Sequence, residues 1–451
     1  MTETTDRVIP GGFCTGCGAC VALAPDAFAM SWTPQGALAA RVRDPDAVPE
    51  VVDRVCPFAS GGRDETDIGD RLYTGKQHPI LGRYLRCYKG YVEEGDFRRR
   101  GSSGGAGRWI LTELLRRGEV DHVVQVRARG APGPLFEFAR FDSPEEISEG
   151  ARSAYYPVTL ADSLLALKEK PGRYAVTAVP CFSKALRRLA EHDPIIRERV
   201  RFVVATVCGH LKTTAFADLL AWQIGVPPEQ LRGIEFRDKI PGKRANEKGV
   251  VAVNESGPLP PRSSKELFGG NWGWNFFKYK ACDYCDDIMA ETADVTVGDA
   301  WLPGLVEDSA GNNVVVVREP TIERILREGV ESGRLALEAC PPETVVLSQR
   351  GGVRHKTEGL ALRLYDDARS GHWAPRKRVS GSSRVSERRK RIYRTRVAIR
   401  ERSHEAFAEA TAAGDLDRFI AAMKPLIRRL DRRDLAAEFR GFVRRILGRE
   451  S

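Results

Sequence analysis

Eight of the ten cysteines in this 451-residue chain fall into two sets of four, and this pattern constrains the fold more than any other feature. The first cysteine set consists of Cys14, Cys17, Cys20 and Cys56. Three of its members follow the spacing C-x2-C-x2-C, which wraps three thiolates around one iron–sulfur cluster, and a distant Cys-Pro supplies the fourth ligand. Zinc sites usually contain two C-x2-C pairs instead, so the spacing favours a 4Fe-4S cluster.

The remaining four cysteines are more scattered along the chain. The second cysteine set consists of Cys181, Cys208, Cys282 and Cys285. Its first two members follow short apolar runs at 173–179 and 200–207, which predict buried strands. The carboxyl ends of strands in an open α/β sheet are where ligands bind. The spacing alone leaves two alternatives, an iron–sulfur site or two core cysteines beside one C-x2-C zinc half-site.

The net charge of +10 is concentrated at the C-terminus. Residues 373–451 hold 22 Lys and Arg against 10 Asp and Glu, whereas residues 1–372 hold 49 against 51. The basic region begins with a linker-like stretch at 375–391. Apolar residues then recur every three or four positions from Leu416 to Leu430 and from Leu435 to Ile446, which predicts helices.

This basic region has two interpretations. It is a helical hairpin packed on the body with its arginines in solvent, or it docks to an acidic partner or an anionic membrane face. No nucleic-acid-binding motif accompanies the charge, so no nucleic-acid partner is inferred.

Length and composition limit the classes of protein to which this chain can belong. The chain is long enough for about three domains and a large core. It contains no apolar run that would span a bilayer and no signal peptide. Ten cysteines without a secretory address predict a cytoplasmic protein, because a reducing compartment keeps thiols available to metal. Hydrolysis and phosphoryl transfer have no support, since the sequence has neither a Ser–His–acid pattern nor a Walker loop.

A glycine-rich loop at 101–107 follows a predicted strand at 87–92 and precedes an amphipathic helix. Free amides at a helix start bind phosphate oxygens, and glycines let the backbone approach a ligand. The loop lacks the G-x-G-x-x-G order of a nicotinamide-binding fold. Further along, the tripeptide 237–239 (Arg-Asp-Lys) either meets an anionic substrate or forms a surface ion pair.

Taken together, these motifs resemble the coenzyme F-420 hydrogenase/dehydrogenase beta-subunit family over most of residues 10–350. The matching strings are HPILGRYLRCYKGYV leading into GSSGGAGRWILTELLRRG, then AVPCFSKALRRL, ATVCGHLK and KACDYCDDIMAETADVTVGDAW. The additional N-terminal cysteines are similar to those of the two-cluster branch, which includes divinyl chlorophyllide reductase and 7-hydroxymethyl chlorophyll a reductase.

The resemblance implies a 4Fe-4S cluster on the second cysteine set and a ferredoxin-like one on the first. It also implies an FAD. The residues implied to cradle its phosphates are Ser102, Ser103, Gly104 and Gly105, and Tyr155 is a candidate neighbour of the flavin ring. Where hydrogenase subunits carry Gly-Thr-Lys-Tyr, this chain reads Arg-Ser-Ala-Tyr at 152–155, without the lysine. No catalytic residue is assigned.

We therefore expect an α/β protein with a mixed-sheet core that binds FAD and iron–sulfur clusters. The predicted regions are a ferredoxin-like 4Fe-4S segment at 1–70, an FAD-binding N-terminal part of the core at 71–160, a C-terminal part with the second 4Fe-4S site at 161–350, and a linker with a basic helical appendix at 351–451.

The expected function is that of an iron–sulfur flavoprotein oxidoreductase. Electrons from a ferredoxin-like donor would pass through two 4Fe-4S clusters to FAD and reduce a small organic substrate. One alternative is an electron-transfer subunit that exchanges electrons with F-420 for a partner enzyme. A second alternative is a scaffold whose cysteines bind structural zinc.

Overall fold

The computed structural model describes residues 2–130 and 133–431. Its strands are β1 (Phe28–Trp32), β2 (Leu38–Val42), β3 (Lys76–His78), β4 (Gly82–Tyr84), β5 (Arg86–Val92), β6 (His122–Ala128), β7 (Phe136–Phe141), β8 (Tyr174–Ala178), β9 (Val200–Thr206), β10 (Gly233–Lys239), β11 (Lys248–Asn254), β12 (Gly257–Pro258), β13 (Arg262–Ser263), β14 (Val295–Asp299), β15 (Asn313–Val317) and β16 (Leu335–Ala339).

The α-helices cover this sheet framework and form the C-terminal part of the described chain. They are α1 (Ala19–Leu23), α2 (Val52–Val55), α3 (Glu65–Leu72), α4 (Phe97–Arg100), α5 (Ala106–Arg116), α6 (Ala161–Glu169), α7 (Pro180–His192), α8 (Pro194–Arg199), α9 (Thr214–Gln223), α10 (Pro320–Glu331), α11 (Pro342–Ser348), α12 (Arg350–Lys356), α13 (Glu358–Ser370), α14 (Glu387–Ala413) and α15 (Leu416–Asp431). None of the helices in the described ranges is long and apolar enough to cross a membrane.

An eight-stranded mixed sheet with the order β16-β5-β15-β14-β9-β8-β6-β7 forms the centre of the molecule. The four strands β14, β9, β8 and β6 run parallel, and the strands outside them pair antiparallel. Strand β15 consists of Asn313 and four valines and is buried at all five positions, as expected for a strand covered on both faces. The predicted mixed-sheet core and the strands predicted at 173–179 and 200–207 are confirmed.

Helices cover both faces of this sheet. On one face, Trp109 of α5 and Ile325 of α10 are fully buried against β5 and β15. On the other face, Leu164 of α6 and Leu186 of α7 pack against β8 and β9. Helix α7 begins with Pro180, which fits the first turn because that position needs no backbone N–H donor. The helices that follow β8 and β9 therefore start at the sheet edge where those strands end.

Two smaller units flank the large sheet. At the N-terminus, the hairpin of β1 and β2 pairs Phe28 with Val42 and lies close in sequence to the first cysteine set. Farther along, β10 and β11 form an antiparallel pair that β12 and β13 extend. This second sheet packs against α9 through Phe236 and Phe216.

The C-terminal helices α14 and α15 form a hairpin that packs into this same core. Phe419 of α15 is fully buried and lies 5.6 Å from Phe277 and 5.5 Å from Phe276 between ring centroids. The helix predicted from Leu416 to Leu430 is confirmed as α15, but its partner in this hairpin is α14, which begins at Glu387 within the predicted linker. The arginines of the hairpin are not all in solvent, since Arg400 is buried. The repeat predicted from Leu435 to Ile446 lies outside the described residues.

The stretch predicted as a linker is also anchored. Arg378 forms a bidentate pair with Glu291, at 2.9 and 2.8 Å, and its backbone N–H donates to Asp286 at 3.0 Å. Residues around 378 thus contact the region just after the second cysteine set. The domain boundaries remain a prediction, but the C-terminal region and the core share a hydrophobic interior.

We expect Phe419→Ala to lower the free energy of unfolding by about 3–5 kcal/mol, because it removes a fully buried aromatic ring and leaves a cavity. Chemical denaturation followed by circular dichroism measures this change. The matched control is Leu347→Ala, whose side chain is half exposed and whose removal should change the value by about 0.5 kcal/mol or less. Equal effects of the two substitutions would show that α15 does not stabilise the core.

Candidate redox centre

The first cysteine set lines one cavity near the N-terminus. Cys14 and Cys17 lie in the loop before α1, Cys20 is in α1, and Cys56 immediately follows α2. Apart from the thiols, the cavity is lined by apolar residues, backbone and two threonines, and no charged side chain lines it. The structure therefore brings together all four predicted ligands of the first set.

Backbone groups supply the polar contacts in this cavity. The N–H groups of Gly16 and Ala40 donate to Cys14 Sγ at 3.5 and 3.3 Å. Gly16 and Gly18 have φ of +75° and +83°, a left-handed conformation that glycine adopts without strain. Burial, with the neighbouring Cys14 thiol, raises the pKa of Cys17 to about 12. Burial thus opposes ionisation of these thiols, and the charge of Arg188 favours it at Cys56 only in part, since burial is the larger effect.

The second cysteine set also converges. Cys181 lies in the first turn of α7, Cys208 follows β9, and Cys282 and Cys285 lie at a short helical turn before β14. The amide of Leu211 donates to Cys282 Sγ at 3.1 Å. Burial, with the neighbouring Cys208 thiol, raises the pKa of Cys282 to about 12. The four cysteines of the second set, which are spread over about a hundred positions of the sequence, therefore lie together in the fold.

The two sets adjoin one another. Burial raises the pKa of Cys181 well above its usual value, and the other members of its set and Cys17 of the first set raise it further. Tyr279 lies between the sets, and its hydroxyl accepts a hydrogen bond from the Leu38 amide at 2.8 Å. Burial raises the pKa of Tyr279, and thiols from both sets, Cys14 and Cys282, also raise it. One region thus contains all eight thiols, of which Cys17 and Cys282 are buried and the others partly buried.

A lysine from the C-terminal helices reaches the second set directly. Lys356 ends α12, and its Nζ donates to Cys285 Sγ at 3.0 Å and to the Asp287 carbonyl at 2.6 Å. The residue is only 3 % exposed. An ammonium group therefore lies against a proposed ligand sulfur.

Further cations surround Asp283, which lies between Cys282 and Cys285 in sequence and has a side chain 1 % exposed. Its carboxylate lies 2.5 Å from Lys278 Nζ, 3.7 Å from Arg363 Nε and 3.0 Å from Arg400 Nε. We name the cations at this site the cationic collar, which consists of Lys278, Lys356, Arg363 and Arg400.

The glycine loop at the start of α5 has a conformation set by its own backbone contacts. A Cβ at Gly104 would lie 2.7 Å from Asn313 Oδ1 and 2.9 Å from the Gly90 carbonyl oxygen. Gly105 has φ of +89°, and a Cβ there would lie 2.7 Å from the Phe97 backbone. Both glycines are therefore required by packing of the chain on itself, a reason that differs from the predicted approach of a ligand.

The two serines of the loop also bond to the protein. Ser103 Oγ donates to the Asn312 carbonyl at 2.8 Å, and Ser102 Oγ lies 3.5 Å from the Arg152 carbonyl. The Ser103 carbonyl accepts from Lys239 Nζ at 2.9 Å. These bonds fix the loop at the N-terminus of α5, where the amides of the first helical turn have no partners within the helix.

Basic side chains from β10 and β11 cluster beside this loop. Burial lowers the pKa of Lys239 to about 7, and Lys248 and nearby arginines lower it further. Burial likewise lowers the pKa of Lys248 to about 8. These cations repel one another, so a bound anion would be stabilised at this position.

Arg237, the first residue of the 237–239 tripeptide, does not form a surface ion pair. It is 9 % exposed and forms a bidentate pair with Asp299 at 2.8 and 2.7 Å. Its Nη2 also lies 3.5 Å from the Ser102 carbonyl. The surface interpretation is therefore wrong for this residue, which is a buried support of the glycine loop.

An aromatic group connects the glycine loop with the second cysteine set. Tyr155 lies 4.5 Å from Trp272 between ring centroids, and burial raises its pKa while Arg237 lowers it. The His210 ring stacks on Trp272 at 4.3 Å with an interplanar angle of 16°. Cys208 is two residues before His210. Contact between rings therefore continues from Tyr155 to the loop that carries Cys208.

Sequence reasoning did not identify Lys356, Trp272 or Lys248 as members of the site. Lys356 lies in the string RGGVRHK, which has no recognised motif, and it reaches the sulfur only through folding of α12 onto the core. Trp272 lies in a short helical turn between the second sheet and the last cysteine pair. Only the clustering of basic residues in β10 and β11 offered a signal that sequence analysis could have used.

Comparison with known proteins gives a consistent result. Two family models of the coenzyme F-420 hydrogenase/dehydrogenase beta subunit match the chain. The model of the N-terminal part of that subunit matches residues 87–165, and the model of its C-terminal part matches residues 172–343. The two matches exclude the first cysteine set and all helices after α11.

Two curated relatives are similar at low identity. The coenzyme F-420 hydrogenase beta subunit of Methanothermobacter thermautotrophicus is 20% identical over 268 residues, which are 56% of this chain and 84% of the relative. An F(420)H(2) dehydrogenase subunit of Methanosarcina mazei is 24% identical over 319 residues, which are 67% of this chain and 80% of the relative.

A solved structure also matches. A chain from a xenon-derivatised F-420-reducing NiFe hydrogenase complex of Methanosarcina barkeri has a TM-score of 0.48 and 16% sequence identity. This match covers 65% of the present chain and 96% of the other.

Proposed function

This chain belongs to the coenzyme F-420 hydrogenase/dehydrogenase beta-subunit family, and we propose that it is an electron-transfer component that works with a partner redox protein. We propose further that it binds two 4Fe-4S clusters and one FAD. The observation that carries the proposal is the convergence of eight thiols into two adjoining sets, in which Cys17 and Cys282 are buried and the other six are partly buried.

The arrangement of the thiols fits a cluster better than a single ion. In a 4Fe-4S site each thiolate binds a different iron, so the sulfurs stand apart around a shared space. A structural zinc needs its four ligands close around one centre. The C-x2-C-x2-C spacing of the first set therefore favours a cluster over the zinc scaffold.

The surroundings of the glycine loop fit a bound dinucleotide such as FAD. Lys239 and Lys248, together with the start of α5, would hold its phosphates, because these groups offer positive charge and backbone donors. Tyr155 and Trp272 offer aromatic surface for the ring system. Ser102, Ser103, Gly104 and Gly105 shape the loop, and we propose them as phosphate-side residues.

When bound, iron–sulfur clusters exchange single electrons, and a flavin exchanges one or two and can accept hydride. The protein's own residues bury these groups, exclude water from the thiols and position the aromatic contact between the two sites. Arg237 holds Tyr155 and the Ser102 carbonyl in place from its pair with Asp299. The chain thus provides the scaffold that a relay between one-electron and two-electron carriers requires.

The relatives' names support a proposal for the partner and the substrate. Both are named as subunits of enzymes that act on coenzyme F-420 or its reduced form, which supports an electron-transfer role more than a self-sufficient reductase of an organic substrate. We propose reduced F-420 as the two-electron donor. We propose a ferredoxin-like protein or a second redox subunit as the one-electron partner.

The cluster assignment predicts about eight irons, about eight acid-labile sulfides and one FAD per chain after anaerobic purification. Cys14→Ser should lower the iron content to about four per chain, because the first site loses a ligand. Colorimetric iron and sulfide assays with flavin released on denaturation measure these values.

A matched control distinguishes ligands from other cysteines. Cys340→Ser changes a thiol that belongs to neither set, and it should leave the iron content unchanged. Unaltered iron in Cys14→Ser, or a preparation that contains zinc instead of iron, would contradict the assignment.

The basic cluster predicts pH-dependent binding of FAD. Lys239 is protonated below its pKa of about 7 and loses its positive charge above it. The affinity of the apoprotein for FAD should therefore fall by about tenfold between pH 6 and pH 9, as expected for loss of one charge-assisted hydrogen bond. Fluorescence titration measures the dissociation constant at each pH.

Lys239→Met should bind FAD more weakly at pH 6 and retain only the part of this dependence that comes from Lys248, whose pKa of about 8 lies in the same range. Lys265→Met is the control, since Lys265 is exposed and pairs with Glu247 away from the loop. A wild-type affinity that does not change across this pH range would contradict a role for Lys239 in holding the phosphates.

The electron-transfer proposal predicts turnover with reduced F-420 and a viologen dye. Each reduced F-420 gives up two electrons, so two dye molecules are reduced for each F-420 oxidised. The dye and F-420 absorb at different wavelengths, and both rates can be followed together. Reduction of an organic acceptor without any oxidation of reduced F-420 would favour the self-sufficient reductase instead.

A further inference from the structure

We propose that the cationic collar gives a cluster on the second cysteine set a higher reduction potential than a cluster on the first. This inference rests on the proposed function, because it requires clusters on both sets. It goes further because it assigns a role to side chains of the C-terminal helices and states which of the two clusters has the higher reduction potential.

The first step is the contact between Lys356 and a sulfur. Lys356 Nζ lies 3.0 Å from Cys285 Sγ, and its second hydrogen bond goes to the neutral Asp287 carbonyl. No carboxylate therefore shares this contact with the sulfur. Reduction adds negative charge to a cluster and its thiolates, so an adjacent ammonium group stabilises the reduced state.

The second step is the surplus of positive charge around Asp283. Three collar cations, Lys278, Arg363 and Arg400, face its single carboxylate. His355 also faces it, with Nε2 at 3.7 Å, and adds no negative charge. Since Asp283 is adjacent to Cys282, the surplus acts close to the second set.

The acidic residues that follow Cys285 have donors of their own. Asp286 lies 3.9 Å from Lys377 and 3.5 Å from Arg378. The Asp287 carboxylate accepts from the amides of Met289 and Glu291 at 2.8 and 2.9 Å. The backbone amides satisfy the Asp287 oxygens without cancelling their charge, so Asp287 offsets part of the effect of Lys356. The surplus of positive charge around Asp283 remains.

The first cysteine set has no comparable group. No charged side chain lines its cavity, and backbone amides make the contacts to Cys14 Sγ. Arg188 donates to the carbonyl oxygens of Cys56 and Ala59, and its charge lowers the pKa of Cys56 against the larger effect of burial, but it does not contact a sulfur as Lys356 does. The two sites therefore differ in the charge that would stabilise a reduced cluster.

Most of the collar lies beyond the part of the chain that matches the family model. That match ends at residue 343, whereas Lys356 lies in α12, Arg363 in α13 and Arg400 in α14. Only Lys278 comes from the matched region. We infer that the C-terminal helices add a control of potential to a core that the family shares.

The test is a redox titration of the anaerobic holoprotein, with each cluster followed by electron paramagnetic resonance. Two midpoint potentials are expected in the wild type. Lys356→Met should lower the higher one, with at least a tenfold change in the reduction equilibrium, which equals about 59 mV for one electron. The lower potential should change little.

Two further variants keep the test decisive. Arg400→Gln removes a collar charge without touching a sulfur, and it should lower the same potential even if Lys356→Met fails to retain its cluster. Arg327→Gln is the control, because Arg327 is half exposed and pairs at 2.9 Å with Glu331 on α10, a helix that carries no member of either set.

The outcomes separate this inference from the proposed function. A shift of the lower potential, or no shift in either collar variant, would overturn the inference while leaving the two clusters in place. A protein without two iron–sulfur signals would instead overturn the proposed function.

Discussion

The cost of burying ionisable thiols dominates this structure. A thiolate in an apolar interior is unstable without a compensating positive group, and burial alone raises the pKa of these cysteines. Two neighbouring sets of four thiols multiply that cost, since each ionised sulfur repels the others. The two cysteine sets are stabilised in different ways. Backbone amides contact a sulfur of the first set, and a charged side chain contacts a sulfur of the second.

Local sequence patterns were sufficient to predict the framework of the site. The apolar runs before Cys181 and Cys208 form β8 and β9, and α7 begins where Pro180 indicates. The glycine-rich loop also lies between a strand and a helix, as expected. These features depend on hydrophobic periodicity and on residues with special backbone preferences, both of which act over a few positions in the chain.

Features that depend on distant contacts were not predictable in this way. Arg378 lies in a stretch whose composition indicates a linker, yet it binds Glu291, which precedes it by 87 positions. Lys356 has no local signal at all. Glycines 104 and 105 were correctly placed at a loop, but their packing against β15 and α4 depends on elements that only the folded chain brings together. Family membership, by contrast, followed from motifs quoted directly from the sequence and is confirmed.

The position of the collar helices has a consequence for biogenesis. Ribosomes deliver a chain from its N-terminus, so every cysteine of both sets emerges before α12, α13 and α14 exist. During that interval the thiols of the second cysteine set lack the wall that these helices later form. Chain order thereby separates the synthesis of the thiols from their enclosure by the last helices.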